Sequence, residues 1–161
     1  MRCFTSLLVL LAAALSGCKG RAAQELWYSG QFDIVRSGGL VLGIEVPKRQ
    51  FAVGETFPVR ITAQNQGKDP ITITARSASP VYVLIYRHDG IGWEELLHYP
   101  KAEMMVVRTW TLAPGAARRF PLNLTVEPNW PTGEPLRIAG VINGLPGPEA
   151  GVEITITGRI P

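Results

Sequence analysis

Phe57-Pro58-Val59-Arg60-Ile61-Thr62-Ala63-Gln64 runs straight into Asn65-Gln66-Gly67-Lys68-Asp69-Pro70, and that into Ile71-Thr72-Ile73-Thr74-Ala75-Arg76. In the first segment Phe57, Val59, Ile61 and Ala63 share one side of a two-residue period, and Arg60, Thr62 and Gln64 share the other. That alternation belongs to a strand with one buried face. The Asn/Gly/Asp/Pro run is a turn. Beyond it Ile71, Ile73 and Ala75 alternate with Thr72, Thr74 and Arg76, so a second half-buried strand starts at once. Two such strands joined by a polar turn point to an antiparallel β protein built around one apolar layer.

The same grammar extends in both directions. Leu40 to Val46 forms a first strand, closed by Pro47. Val81 to Tyr86 is apolar on both sides, with Val81, Val83 and Ile85 on one and Tyr82, Leu84 and Tyr86 on the other, which marks a central strand. His88-Asp89-Gly90 signals a tight turn, and Trp93 to Leu97 returns as the hairpin partner. Within Lys101 to Leu112, the β-branched content of Met104-Met105-Val106-Val107 favours strand over helix. Pro114-Gly115 turns the chain into Phe120, Leu122, Leu124 and Val126, a clean alternating set. Pro128 to Gly133 is a corner, Leu136 to Asn143 a strand, and Gly144 to Gly151 a Pro/Gly-rich loop. A last strand, Val152 to Ile160, turns Val152, Ile154, Ile156 and Ile160 inward. Short strands at steady spacing with no long helix predict an all-β, immunoglobulin-like antiparallel β-sandwich of about 7–9 strands.

Upstream the composition changes. Met1-Arg2 is a short basic start, and Leu7 to Leu15 is an apolar run ending in small residues, the form of a secretory signal helix. At about twelve residues the apolar stretch is shorter than the roughly 20 a spanning helix needs. It ends in Leu15-Ser16-Gly17-Cys18, an apolar residue, two small ones and a cysteine, which resembles the bacterial lipoprotein box. The resemblance implies cleavage before Cys18 and a lipid-bearing Cys18 thioether, with two or three acyl chains giving stable anchorage where one is marginal. Lys19, where an Asp would imply inner-membrane retention, leans the expected address to the periplasmic side of the outer membrane. The domain plan is then a signal peptide at 1–17, a lipidated cysteine and flexible tether at 18–38, and a sandwich at 39–161. Two adjacent aromatics, Trp27-Tyr28, are the one point at which the tether is expected to contact that sandwich.

Composition closes off several functions. Of the two cysteines, Cys3 leaves with the signal and Cys18 takes the lipid, so no disulfide, thiol catalyst or cysteine zinc site is expected. The 161-residue chain has a formal net charge of +3 with its basic residues scattered, and no nucleic-acid partner is expected. Arg118-Arg119 is the one local basic pair, read as a solvated hairpin edge.

A second resemblance covers residues 45–145. Val53-Gly54-Glu55, Asn65, Val81-Tyr82, Gly90 to Trp93, Leu112-Ala113-Pro114-Gly115 and Pro131-Thr132-Gly133 together are similar to the intracellular proteinase inhibitor (BsuPI-type) domain. It implies a β-sandwich module and, as one possible activity, protease inhibition. The chain differs in having Tyr86-Arg87-His88 where acidic residues often precede the hairpin.

Catalytic chemistry finds little footing. His88, Asp89, Glu94, Glu95 and His98 crowd one hairpin, but Glu94 and Glu95 point to opposite faces and only two histidines exist, so no metal, cofactor or catalytic site is expected. The expected function is a non-catalytic module that binds another envelope protein through its loops, with protease inhibition as the alternative. The candidate binding residues are His88, Asp89 and Trp93 in the hairpin, Trp130 in the corner, and Pro146 and Pro148 in the Pro/Gly loop. Trp93, Trp110 and Trp130 are also weighed as an aromatic platform.

Overall fold

The computed structural model describes residues 30–102 and 104–158. The signal, Cys18, Trp27-Tyr28 and Ile160 lie outside the described residues. Eleven strands follow in order: β1 (Gln31–Ser37), β2 (Leu40–Val46), β3 (Gln50–Ala52), β4 (Thr56–Asn65), β5 (Ile71–Ala75), β6 (Val81–His88), β7 (Trp93–Tyr99), β8 (Arg108–Leu112), β9 (Ala117–Thr125), β10 (Pro135–Ile142) and β11 (Ala150–Thr157). They form a four-stranded sheet, β1-β2-β4-β9, a five-stranded sheet, β3-β11-β10-β6-β7, and a two-stranded ribbon, β5-β8. Every pairing is antiparallel except β3 beside β11. This is the β-sandwich that the alternation predicts.

The core fills the space between the sheets. Leu42 and Ile44 of β2 and Val59 and Ile61 of β4 meet Val83 and Ile85 of β6, Ile138 of β10 and Ile154 and Ile156 of β11, all buried. Burying an aliphatic side chain of this size contributes roughly 1.5–3 kcal/mol. Phe51 and Phe57 stack at 3.8 Å between ring centroids and close one end of the core. Gly140 sits mid-strand in β10, where an added Cβ would lie 2.9 Å from Ile61 Cγ1. The missing side chain lets β10 approach the facing sheet closely.

Four expectations need correction. Residues 31–37, read as the end of a tether, form β1 and pair with β2 along their whole length. The two strands meet at Gly38-Gly39, both at positive φ, 53° and 83°, as a two-residue type I′ hairpin requires. Asp33 then ties β1 to the opposite sheet by accepting a bond from Gly151 N at 2.9 Å. Second, β6 lies between β10 and β7, so β10 rather than β6 occupies the centre of its sheet. Third, Met104 to Val107 is irregular, and strand structure begins only at Arg108. Fourth, β3 went unread, because three residues are too few to show a period.

Candidate functional site

The β6-β7 hairpin is built as a rigid tip. Asp89 Oδ1 accepts from Ile91 N at 2.8 Å and Gly92 N at 2.7 Å, while Gly90 N donates to His88 Nδ1 at 3.1 Å. The Gly92 and Ile91 N–H groups hold the Asp89 carboxyl below the usual carboxylate range. Gly90 takes φ 94°, which a side chain would strain. Below the turn His88 meets Trp93 edge-to-face at 5.3 Å, and Arg87 pairs with Glu94 at 2.8 Å. The product is a fixed loop that thrusts Ile91, 96% exposed, into solvent.

The acidic and imidazole groups of this hairpin are thus taken up locally: Asp89 by the turn, Glu94 by Arg87, and Glu95 by His98 at 3.5 Å. Among the described residues no three His, Cys, Asp or Glu side chains gather where a metal ion could be held.

The other predicted loops behave differently. Trp130 is 2% exposed and packs beside Tyr99, 6.3 Å between centroids, so it is a core residue rather than a binding one. The corner that carries it turns inward because the indole fills the mouth of the sandwich. Trp93, Trp110 and Trp130 have separate ring partners, respectively His88, Phe120 and Tyr99, so no shared platform exists. In the Pro/Gly loop Pro146 is exposed and Pro148 half-buried. That loop is less free than a protruding segment, since Glu149 accepts a bond from Tyr86 OH at 2.9 Å and lies 3.6 Å from Arg137. Burial and the Glu149 carboxylate push the Tyr86 hydroxyl well above its ordinary pKa.

A further surface had no reading in the sequence. A cavity of about 280 Å³ opens where the β5-β8 ribbon meets the turn after β5. Arg108, Trp110 and Arg118 line one side, and Ser77, Ala78 and Pro80 the other. Arg118, expected as a solvated edge, lays its guanidinium over Trp110 at 5.0 Å and Phe120 at 5.2 Å. Ala78 N donates to Met104 O at 2.9 Å, which brings the irregular 104–107 segment to the rim. Met104, Met105 and Val107 are 69%, 82% and 73% exposed there.

Asn143 orders the far wall of this cavity. Its Nδ2 donates to Ser77 Oγ at 2.7 Å, Ser79 O at 2.8 Å and Tyr82 OH at 3.1 Å. The signal available in the sequence is the cluster Ser77-Ala78-Ser79-Pro80, whose composition suggests a turn and hides the wall it builds.

No protein-family model matches the chain, and no curated protein matches it. Solved structures do. Spo0M, a sporulation control protein from Bacillus subtilis, superposes with a TM-score of 0.54 at 13% identity, covering 75% of this chain and 50% of Spo0M. A β-glucosidase from Listeria innocua gives 0.44 at 13% identity, over 81% of this chain and 16% of the enzyme. A cycloisomaltooligosaccharide glucanotransferase from Paenibacillus sp. gives 0.46 at 12% identity, over 81% and 14%. The chain spans about half the length of Spo0M and a small part of the two enzymes. What it shares with Spo0M is the β-sandwich fold.

Proposed function

We propose that the chain is a lipid-anchored protein of the bacterial cell envelope, held by Cys18, whose sandwich is a non-catalytic module that binds another envelope protein through the β6-β7 hairpin. The observation that carries the binding reading is Ile91, 96% exposed on a turn fixed by bonds to His88 and Asp89. A large apolar side chain held out on a preorganised loop loses little entropy when a partner covers it. The ionisable groups around it already serve the hairpin, so they are positioned for structure rather than for turnover.

A photo-crosslinking residue at position 91, used in native membranes, tests this directly. One discrete crosslinked species is expected, competed away by the unlabelled parent chain and not by the Ile91→Asp variant. A smear of unrelated products, or equal competition by Ile91→Asp, overturns the assignment. Cys18→Ala tests the anchor separately: the chain should leave the membrane fraction, and full retention after alkaline extraction would count against lipidation. Protease inhibition stands as the second reading, since a rigid exposed Ile91 also suits a protease subsite. Unchanged activity of a serine protease panel at large molar excess of the chain would remove it.

A further inference from the structure

The rim of the β5-β8 cavity combines two features that rarely sit together without a purpose. Met104, Met105 and Val107 are exposed at 69%, 82% and 73%. Arg108, next in the chain to Val107, and Arg118 line the cavity beside them, and among the described residues neither has a carboxylate within ion-pair distance. The strand register explains the gathering. Ala75 pairs with Arg108 on the side that lines the cavity, while Arg76 turns to the other side of the ribbon with Thr74, and the Met104 O to Ala78 N bond draws the apolar segment alongside. Arg108 and Arg118 line one cavity of about 280 Å³, large enough for a phosphate group.

We propose that this face docks on the surface of an anionic bilayer, Met104, Met105 and Val107 entering the interface while Arg108 and Arg118 take a lipid phosphate in the cavity. Guanidinium groups suit phosphate oxygens, and apolar side chains flanked by cations are the usual composition of an interfacial contact.

The alternative occupant, an acidic protein, fits less well. Three projecting side chains offer a few hundred Å² and no groove, short of the roughly 800 Å² per partner that a stable protein interface buries. A fluid surface needs no complementary shape. The proposal rests in part on the Cys18 anchor, because eleven residues separate Cys18 from Gly30 and the span between the two reaches at most ~40 Å fully extended. Within that reach the docking face meets the bilayer repeatedly.

The full-length chain, purified from membranes and reconstituted into vesicles, can carry an environment-sensitive fluorophore at Met105→Cys, with Ile91→Cys as the comparison site. If Cys18 bears lipid the parent chain takes no label, so labelling of the parent marks failure of the anchor reading independently. On vesicles of phosphatidylcholine with about one third phosphatidylglycerol, the position-105 label should brighten and shift blue relative to phosphatidylcholine alone, while the position-91 label stays unchanged. Raising salt to about 1 M, where the Debye length is ~3 Å, should reverse the effect in the same protein. Arg108→Gln with Arg118→Gln should lower the docking equilibrium about thirtyfold, from roughly fivefold per lost cation. No difference between the two lipid compositions at position 105 overturns the proposal. So does a label that responds only to added envelope protein and not to lipid, which would assign the face to a protein partner.

Discussion

Asn65, at the end of β4 and 0% exposed, carries more main-chain connections than any other side chain near the ribbon. Its Nδ2 donates to Asp69 O at 2.8 Å and Leu112 O at 2.9 Å, and its Oδ1 accepts from Gly67 N at 2.9 Å. One amide thus joins the turn after β4 to the end of β8. Asn65→Ala removes all three bonds, at a net cost of about 1 kcal/mol each, and leaves the Leu112 carbonyl buried without that donor, for a total of about 3–5 kcal/mol. Asn65→Asp keeps the acceptor for Gly67 but turns a carboxylate oxygen toward two carbonyls. Burial and that repulsion raise the folded-state pKa of the introduced carboxyl above the ~3.9 of an unfolded Asp. The stability of the Asp variant is therefore greatest below about pH 4 and is lost as pH rises through the raised folded-state value. At pH 7 it should be less stable than the Ala variant; near pH 4 the order should narrow or reverse. Urea denaturation at several pH values reads this out, with the Ala midpoint falling by roughly 1–5 M for an m of ~1–3 kcal/mol/M. A loss below about 1 kcal/mol for Asn65→Ala, or an Asp–Ala difference that ignores pH, would refute the bond assignment.

Other perturbations follow from the same geometry. Gly144→Ala forces a side chain onto φ 85° and into the Thr74 carbonyl oxygen, so a loss of at least ~2 kcal/mol, seen as a fall of roughly 5–10 °C in Tm, is expected; an unchanged Tm would contradict that close approach. Glu127 is held below its ordinary pKa by Lys101 and Tyr99, and Glu55 by Lys48 and the Ala52 N–H. Depressed carboxyls stabilise above their unfolded pKa and cease to as pH falls through the folded values, so the denaturation midpoint should drop below about pH 4.5. Glu127→Gln should blunt that drop, and an identical acid profile in the variant would disprove the contribution. Asp89→Ala should leave global unfolding unchanged while speeding amide exchange at Ile91 and Gly92 and weakening crosslinking through position 91; protected amides in the variant would show that the turn does not need its carboxylate.

Period-two alternation made β4, β5, β9 and β11 legible, because each turns one face to the core and leaves the other more open over at least part of its length, whereas β2, buried along its whole length, and β10 were marked by apolar runs between turn residues. β1 escaped because its apolar residues do not alternate: Ile34 and Val35 are adjacent, and Phe32 points outward at 55% exposure. Gly38-Gly39 held the missing information, since two glycines between apolar runs mark a type I′ hairpin as well as a boundary. Met104-Met105-Val106-Val107 shows the opposite error. Its composition favours a strand, yet those residues pair with no strand, and three of the four side chains are exposed. The hairpin tip was legible through His88-Asp89-Gly90, although the residue it presents, Ile91, was not singled out. The arginine face was not legible at all. Arg108 and Arg118 lie on different strands, and only the pairings Ala75 with Arg108 and Ala63 with Arg118 reveal which face each occupies.

The ribbon that carries this face is held in an unusual way for a sandwich strand pair. β5 and β8 pair only with each other, joined by Thr72–Thr111 and Thr74–Thr109 hydroxyl contacts at 3.3 and 3.2 Å. One end is gripped by Asn65 through Leu112, and just past the other Asn143 grips Ser77 and Ser79. Ile73 and Leu112 supply apolar contact beneath it. Buried amide clamps of this kind define position more than they add bulk stability, because each demands its partners in one geometry. Loosening either should therefore release the ribbon before the two sheets, with β5 and β8 amides exchanging faster than those of β2, β4 and β10. Arg108 would then lose its fixed place beside Arg118. The two asparagines thus join stability to the proposed docking face: a substitution at either one, though neither carries a charge, should weaken lipid docking in proportion to the freedom it gives the ribbon.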